Sequence, residues 1–189
     1  MLSTGNPAVA TTPVSVRVPE KDTTATFTIS TATVRTLSST PITATHGTAV
    51  RSATLTVLPP PLSPAFKVYR QGVGYQGFDI EVCTVKNSVG EIDCVFDASL
   101  SRGFPTKYIW TLKVESRDIT FTTTVPELNP PTTCALYEGA RMIGSYVPMD
   151  VQLRVERNDE GPAGGVASKT LRVSAALSQT QGYCGFRLP

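Results

Sequence analysis

Apolar and polar residues alternate with period two along much of this chain, the pattern of strands that bury one face and wet the other. Val14, Val16 and Val18 alternate with Ser15 and Arg17, and Ala25, Phe27 and Ile29 alternate with Thr24, Thr26, Thr28 and Ser30. Ala53, Leu55 and Val57 alternate with Ser52, Thr54 and Thr56, and Pro41-Ile42-Thr43-Ala44-Thr45 adds a further strand before the proline run that begins at Pro59. Beyond it, Cys94-Val95-Phe96-Asp97-Ala98-Ser99 predicts a half-buried strand that runs into a loop. Tyr108-Ile109-Trp110 opens another strand, which Thr111 to Glu115 continue. Trp110, Leu112 and Val114 share one face of it, so the tryptophan is expected in a core rather than on an exposed platform. Val151–Val155 and Lys169–Val173 predict two closing strands. The fold class is therefore all-β.

Leu58-Pro59-Pro60-Pro61-Leu62-Ser63-Pro64 divides the alternating segments into two groups. Successive prolines fix φ and remove amide donors, which predicts a semi-rigid spacer at 59–64 between a first domain, 1–58, and a second, 65–189. The Pro-x-x-Pro pattern at Pro61 to Pro64 also matches an SH3-type ligand, for which a plain linker is the simpler explanation. With 189 residues and 40% apolar content the chain can bury packed cores. Its 17 basic and 15 acidic residues nearly cancel, leaving no electrostatic footprint for nucleic acid or an anionic membrane surface. No segment has the apolar length needed to insert across a bilayer as a helix.

Four cysteines, Cys83, Cys94, Cys134 and Cys184, permit three pairings. Without a Cys-x-x-Cys, and with the lone His46 in the other domain, they read as disulfides rather than a zinc site. Joining Cys94 to Cys134 ties an early strand to the segment before Val151, and joining Cys83 to Cys184 anchors the C-terminal tail; loop entropy assigns these roughly 4 and 4.7 kcal/mol. A hairpin turning at Asn87-Ser88-Val89-Gly90 would instead place Cys83 opposite Cys94, and spacing leaves that pairing open. Each alternative implies an oxidising compartment outside the cytosol.

Chemistry-bearing residues are sparse. His46-Gly47-Thr48 lies between two alternating strands, the position of a solvated turn histidine, with no nucleophile beside it. Asp97, Glu115, Glu127 and Asp150 fall on loops or strand ends without a motif that pairs them, so no catalytic residue is assigned and the chain is expected not to be an enzyme. Asn158, Asp159 and Glu160, joined by Asp97, form a conceivable weak calcium site, against which stands a simple polar hairpin loop. No cofactor is implied. Tyr69, Tyr75, Phe78 and Tyr146 are scattered candidates for an exposed aromatic row.

The residues Phe96-Asp97-Ala98-Ser99, Ser101, Gly103, Tyr108-x-Trp110 and the two closing strands resemble the polycystic-kidney-disease (PKD) domain, an immunoglobulin-like sandwich of secreted and surface proteins. The resemblance runs from about Phe66 to Ala175. It lacks the acidic turn that usually follows the tryptophan, because Thr111 to Glu115 continue as strand. Asn6-Pro7-Ala8-Val9-Ala10, Val18-Pro19 before Ala25 to Ile29, and Ala53 to Val57 resemble the C-terminal part of a bacterial immunoglobulin-like repeat whose opening strands are missing. Together these resemblances imply two tandem immunoglobulin-like β-sandwiches, the first incomplete at its N-terminus. They imply a fragment of a larger bacterial protein with its export signal upstream. The expected role is a non-catalytic spacer or adhesion pair of a secreted or cell-surface protein, its partners being neighbouring domains and a surface protein or polysaccharide. The alternative is an accessory carbohydrate- or matrix-binding module of a secreted hydrolase.

Overall fold

The computed structural model describes residues 1–86, 91–131, 136, 146–158 and 165–175. Thirteen strands are present among them, so the chain is all-β, and it divides into two compact units, Met1–Pro60 and Pro61–Pro189.

In the first unit β1 (Leu2–Thr4), β4 (Ser38–His46) and β5 (Ala49–Val57) form an antiparallel sheet in the order β1-β4-β5, while β2 (Ala10–Thr11) pairs with β3 (Ser30–Thr31). The β4–β5 register runs unbroken from Ser38↔Val57 to His46↔Ala49. Gly47, at φ 58°, makes the turn, and His46 is exposed at the hairpin end, as its sequence context implies. Leu2, Val9, Ala10, Val34 and Ile42 bury a small core, and Thr40 Oγ1 within it accepts the Asn6 amide at 2.8 Å.

Two expected strands are absent. Neither Val14–Val18 nor Thr24–Ile29 is a strand, and Val14, Val18 and Phe27 are exposed. Pro13 and Pro19 bracket the first segment, and Val14 O accepts the Leu2 amide at 2.8 Å. Alternation specifies which face a strand would bury; the ladder still needs a neighbour with free backbone groups, and proline at both ends withholds them.

The second unit has two sheets. One has the order β10-β9-β12-β13-β7, built from β7 (Val82–Val85), β9 (Lys107–Val114), β10 (Arg117–Thr123), β12 (Val147–Glu156) and β13 (Val166–Ala175). Only the β13–β7 pair within it is parallel. The smaller sheet has the order β11-β8-β6, from β6 (Lys67–Arg70), β8 (Cys94–Asp97) and β11 (Glu127–Leu128). Tyr108, Trp110, Leu112 and Val114 of β9 point inward, and so do Val147, Met149, Val151, Leu153 and Val155 of β12. Register sets Leu153 opposite Trp110 and Val151 opposite Leu112. From the smaller sheet side, the Phe66 ring meets Trp110 edge-on at 5.5 Å and the Phe96 ring lies 6.0 Å away. One core therefore joins both sheets, and Trp110 is fully buried in it as its strand face predicts. Removing about 200 Å² of such a side chain from water contributes about 5 kcal/mol.

Part of the proline run belongs to this unit. Leu62 is buried in its core, and Ser63 exchanges backbone hydrogen bonds of 3.1 and 2.9 Å with Arg102. Gly103, at φ 88°, sits where a Cβ would lie 2.5 Å from Pro61 O.

The expected disulfides are corrected. Cys83 is bonded to Cys94, with Cα atoms 5.4 Å apart, so neither is free to pair with Cys134 or Cys184, both of which lie outside the described residues. The hairpin geometry explains it. Val85 bridges Ile92, the Lys86 amide donates to Glu91 O at 2.7 Å, and Asp93 N donates to Thr84 O at 2.9 Å, which brings the two cysteines face to face. Because β7 and β8 lie in different sheets, this short hairpin link also ties the two layers together. A disulfide is the mark of an oxidising environment outside the cytosol.

Candidate functional site

Register across β6, β8 and β11 sets Lys67 and Glu127 on either side of Asp97, and Tyr69 beside Val95. These residues form the outer face of the smaller sheet. Lys67 Nζ lies 3.0 Å from the buried Asp97 carboxylate, which also accepts the Ser99 amide at 2.7 Å. Burial pushes the Asp97 pKa up, but the Ser99 amide and Lys67 outweigh it and hold the carboxyl below its ordinary value. Tyr69 donates its hydroxyl to Glu127 Oε1 at 3.1 Å. Its pKa is pushed up to about 12, first by burial and then by Glu127 and the charge of Asp97. Burial, with the Asp97 charge added, also raises Tyr108.

A glycine-rich loop, Gln71 to Asp79, lies against this face. Gly72, Gly74 and Gly77 adopt φ of 81°, 76° and 91°, backbone that only glycine takes without strain, and so let the loop double back on itself. The loop is pinned at both ends: Gln71 N donates to Asp93 O at 2.8 Å, while Asp79 accepts the Val68 amide at 2.7 Å and pairs with Lys169. Its Tyr75 ring packs edge-on against Tyr69 at 6.4 Å, and Lys67 Nζ stands 5.0 Å over it. Between loop and sheet lies a cleft of about 190 Å³, lined by Tyr69, Arg70, Val73, Gly74, Gln76, Phe78 and Ile80. That is room for roughly six waters, one planar ring or one side chain. Arg70 is already occupied by an ion pair with Asp93, whose other oxygen accepts the Thr84 amide at 2.6 Å.

Chemically the patch offers aromatic faces, a cation and amide and hydroxyl donors at the mouth of an apolar cleft, the equipment for stacking a ring and fixing its polar edge. Of the four scattered aromatics, Tyr69, Tyr75 and Phe78 come together here, with Phe78 and Tyr75 exposed. Tyr146 precedes β12 of the other sheet, where Arg172 lies 5.7 Å over its ring. Lys67, Gln76 and Glu127 gave no warning of a shared site in the sequence. The spacing of Gly72, Gly74 and Gly77 is the sequence signal that could have found the tightly turned loop.

Two of the four expected calcium ligands, Asp97 and Asn158, fall within the described residues. Asp97 is engaged by Lys67 and Ser99, Asn158 Oδ1 accepts the Thr106 hydroxyl at 3.2 Å, and Asp159 and Glu160 lie outside the described residues. Among the described residues no group of three or more His, Cys, Asp or Glu is placed to hold a metal ion. No helix among them is long and apolar enough to cross a membrane. No family model, curated protein or solved structure matches this chain.

Proposed function

We propose that the chain is a non-catalytic extracellular module pair, a spacer or adhesion unit of a larger secreted or cell-surface protein. In this reading both units are immunoglobulin-like, the second a PKD-like sandwich with its tryptophan between two sheets. The observation that carries it is the Cys83–Cys94 link between layers, which suits a module that keeps its shape in an oxidising exterior and under load. Its partners are the neighbouring domains and a surface protein or polysaccharide. Single-molecule pulling of the oxidised chain tests the reading: the second unit should unfold at a distinct force peak. The 11-residue separation held by the disulfide should shorten its released length by about 4 nm, recovered on reduction. Extension without a force peak would remove the spacer role.

Tyr69 and Phe78 line one cleft and the Tyr75 ring packs edge-on against Tyr69, which favours a second reading, carbohydrate or matrix binding. Affinity electrophoresis in soluble polysaccharides addresses it directly. Retardation that disappears in the Tyr75→Ala/Phe78→Ala double variant supports it; migration unchanged by every polysaccharide counts against it.

A further inference from the structure

One ladder of the first unit stops short of the turn that would close it. Ala32 N donates to Val9 O at 3.0 Å, and β2 and β3 pair Ala10 with Thr31 and Thr11 with Ser30. At the far end Asp22 N donates to Pro19 O at 3.2 Å. Both ends obey one antiparallel register, which continues as Pro13 opposite Thr28, Val14 opposite Phe27, Ser15 opposite Thr26, Val16 opposite Ala25 and Arg17 opposite Thr24. Between the two ends there is no ladder. Residues 12–18 and 24–29 are not strands, and a groove of about 640 Å³ opens there, lined by Ser15, Val16 and Arg17 of one arm and Thr26, Phe27 and Thr28 of the other.

We propose that residues 12–29 are a two-state hairpin, open in this structure and able to zip shut in the register its two ends already share. The sequence favours that register: it sets Val14 against Phe27 and Val16 against Ala25 on one face, and Ser15 against Thr26 and Arg17 against Thr24 on the other. Hydrogen-bonded pairs alternate along an antiparallel ladder, and the Val9–Ala32 and Pro19–Asp22 bonds place 13↔28, 15↔26 and 17↔24 among them. The last two exchange both bonds, whereas Pro13, without an amide hydrogen, leaves 13↔28 with one. Val14 then falls at an unbonded pair with its carbonyl turned away from the second arm, on the side where it already accepts the Leu2 amide at 2.8 Å. Closing therefore keeps that contact and joins the hairpin edge to edge with β1, making one sheet of two. The turn explains the open state. Of its two central residues only the second, Lys21, has a positive φ, 75°, whereas the turns whose twist matches a two-residue hairpin need a positive φ at the first; a turn of the observed hand splays the arms. Ladder and groove exclude each other, so the hairpin is a gate over the groove.

Amide exchange on the full chain tests both the second state and its register. Glu20→Asn with Lys21→Gly supplies a turn that matches the strand twist and should favour the closed state. In that variant the amides of Ser15, Arg17, Thr24, Thr26 and Thr28, which face the opposite arm when the hairpin is shut, should exchange at least about 10-fold more slowly than in the wild type. Those of Ala25 and Phe27, which face outward, should change little. Crosslinking gives an independent reading. Val16→Cys with Ala25→Cys, an unbonded pair whose Cα atoms come within about 4.5 Å on closing, should form an intramolecular disulfide under mild oxidation. Arg17→Cys with Ala25→Cys, one residue out of register and pointing to opposite faces, should not. Protection that does not alternate along the arms, a turn variant whose exchange matches the wild type, or equal crosslinking of the two cysteine pairs overturns the proposal.

Discussion

Replacing both bridged cysteines, Cys83→Ala with Cys94→Ala, isolates what the link between the sheets contributes. The sulfurs are joined across a sequence separation of 11, and the loop-closure relation gives an entropy of about 9.3 cal/mol/K, or about 2.8 kcal/mol at 25 °C. Both side chains are fully buried, so removing each sulfur adds a loss comparable to a buried methylene, about 0.8 kcal/mol. The sum is about 4 kcal/mol, a large fraction of the 5–15 kcal/mol that typically holds a domain of this kind together. Urea unfolding measures it cleanly because the chain has a single tryptophan, Trp110, buried in the core of the second unit, so its fluorescence follows that unit alone. At a slope near 2 kcal/mol/M the midpoint should fall by about 2 M. The double variant is required, since either single change leaves an unpaired buried thiol. A fall below about 0.5 M would mean that the aromatic core holds the sheets by itself and the covalent tie is incidental.

Three further outcomes are expected. Gly103→Ala should lower the melting temperature of the second unit by roughly 10 °C, because its Cβ meets backbone atoms of Pro61 and Leu62 that cannot yield and its φ of 88° disfavours any side chain; calorimetry showing no change would place the 61–63 segment loosely. Asp97 has a depressed pKa in the fold, so its contribution is present above the ordinary value of 3.8 and is lost as pH falls through the lower folded value. Denaturation midpoints should therefore drop on acidification in the wild type and much less in Asp97→Asn, and parallel curves would contradict the Lys67 and Ser99 partnership. At the alkaline end Tyr69 works in the opposite direction, holding its proton until about 12, so stability should decline between about pH 10 and 12; spectrophotometric titration of Tyr69→Phe should show the highest-titrating phenol gone.

Period-two patterning by itself was enough to determine the all-β class, the inward face of β9 with Trp110, Leu112 and Val114, and the β4–β5 hairpin that carries His46 to solvent, since each follows from side-chain alternation and local turn chemistry. The same patterning overreached at Val14–Val18 and Thr24–Ile29, because alternation says nothing about whether a neighbour is there to accept the backbone. Cysteine count pointed to disulfides, but the pairing was decided by how closely the arms of one hairpin approach, a distance that separation along the chain does not carry. The aromatic patch is tertiary in the fullest sense. Lys67, Tyr75, Asp97 and Glu127 are spread over sixty residues, and only the register of β6, β8 and β11, together with the three left-handed glycines of the loop above them, sets their side chains within reach of one another.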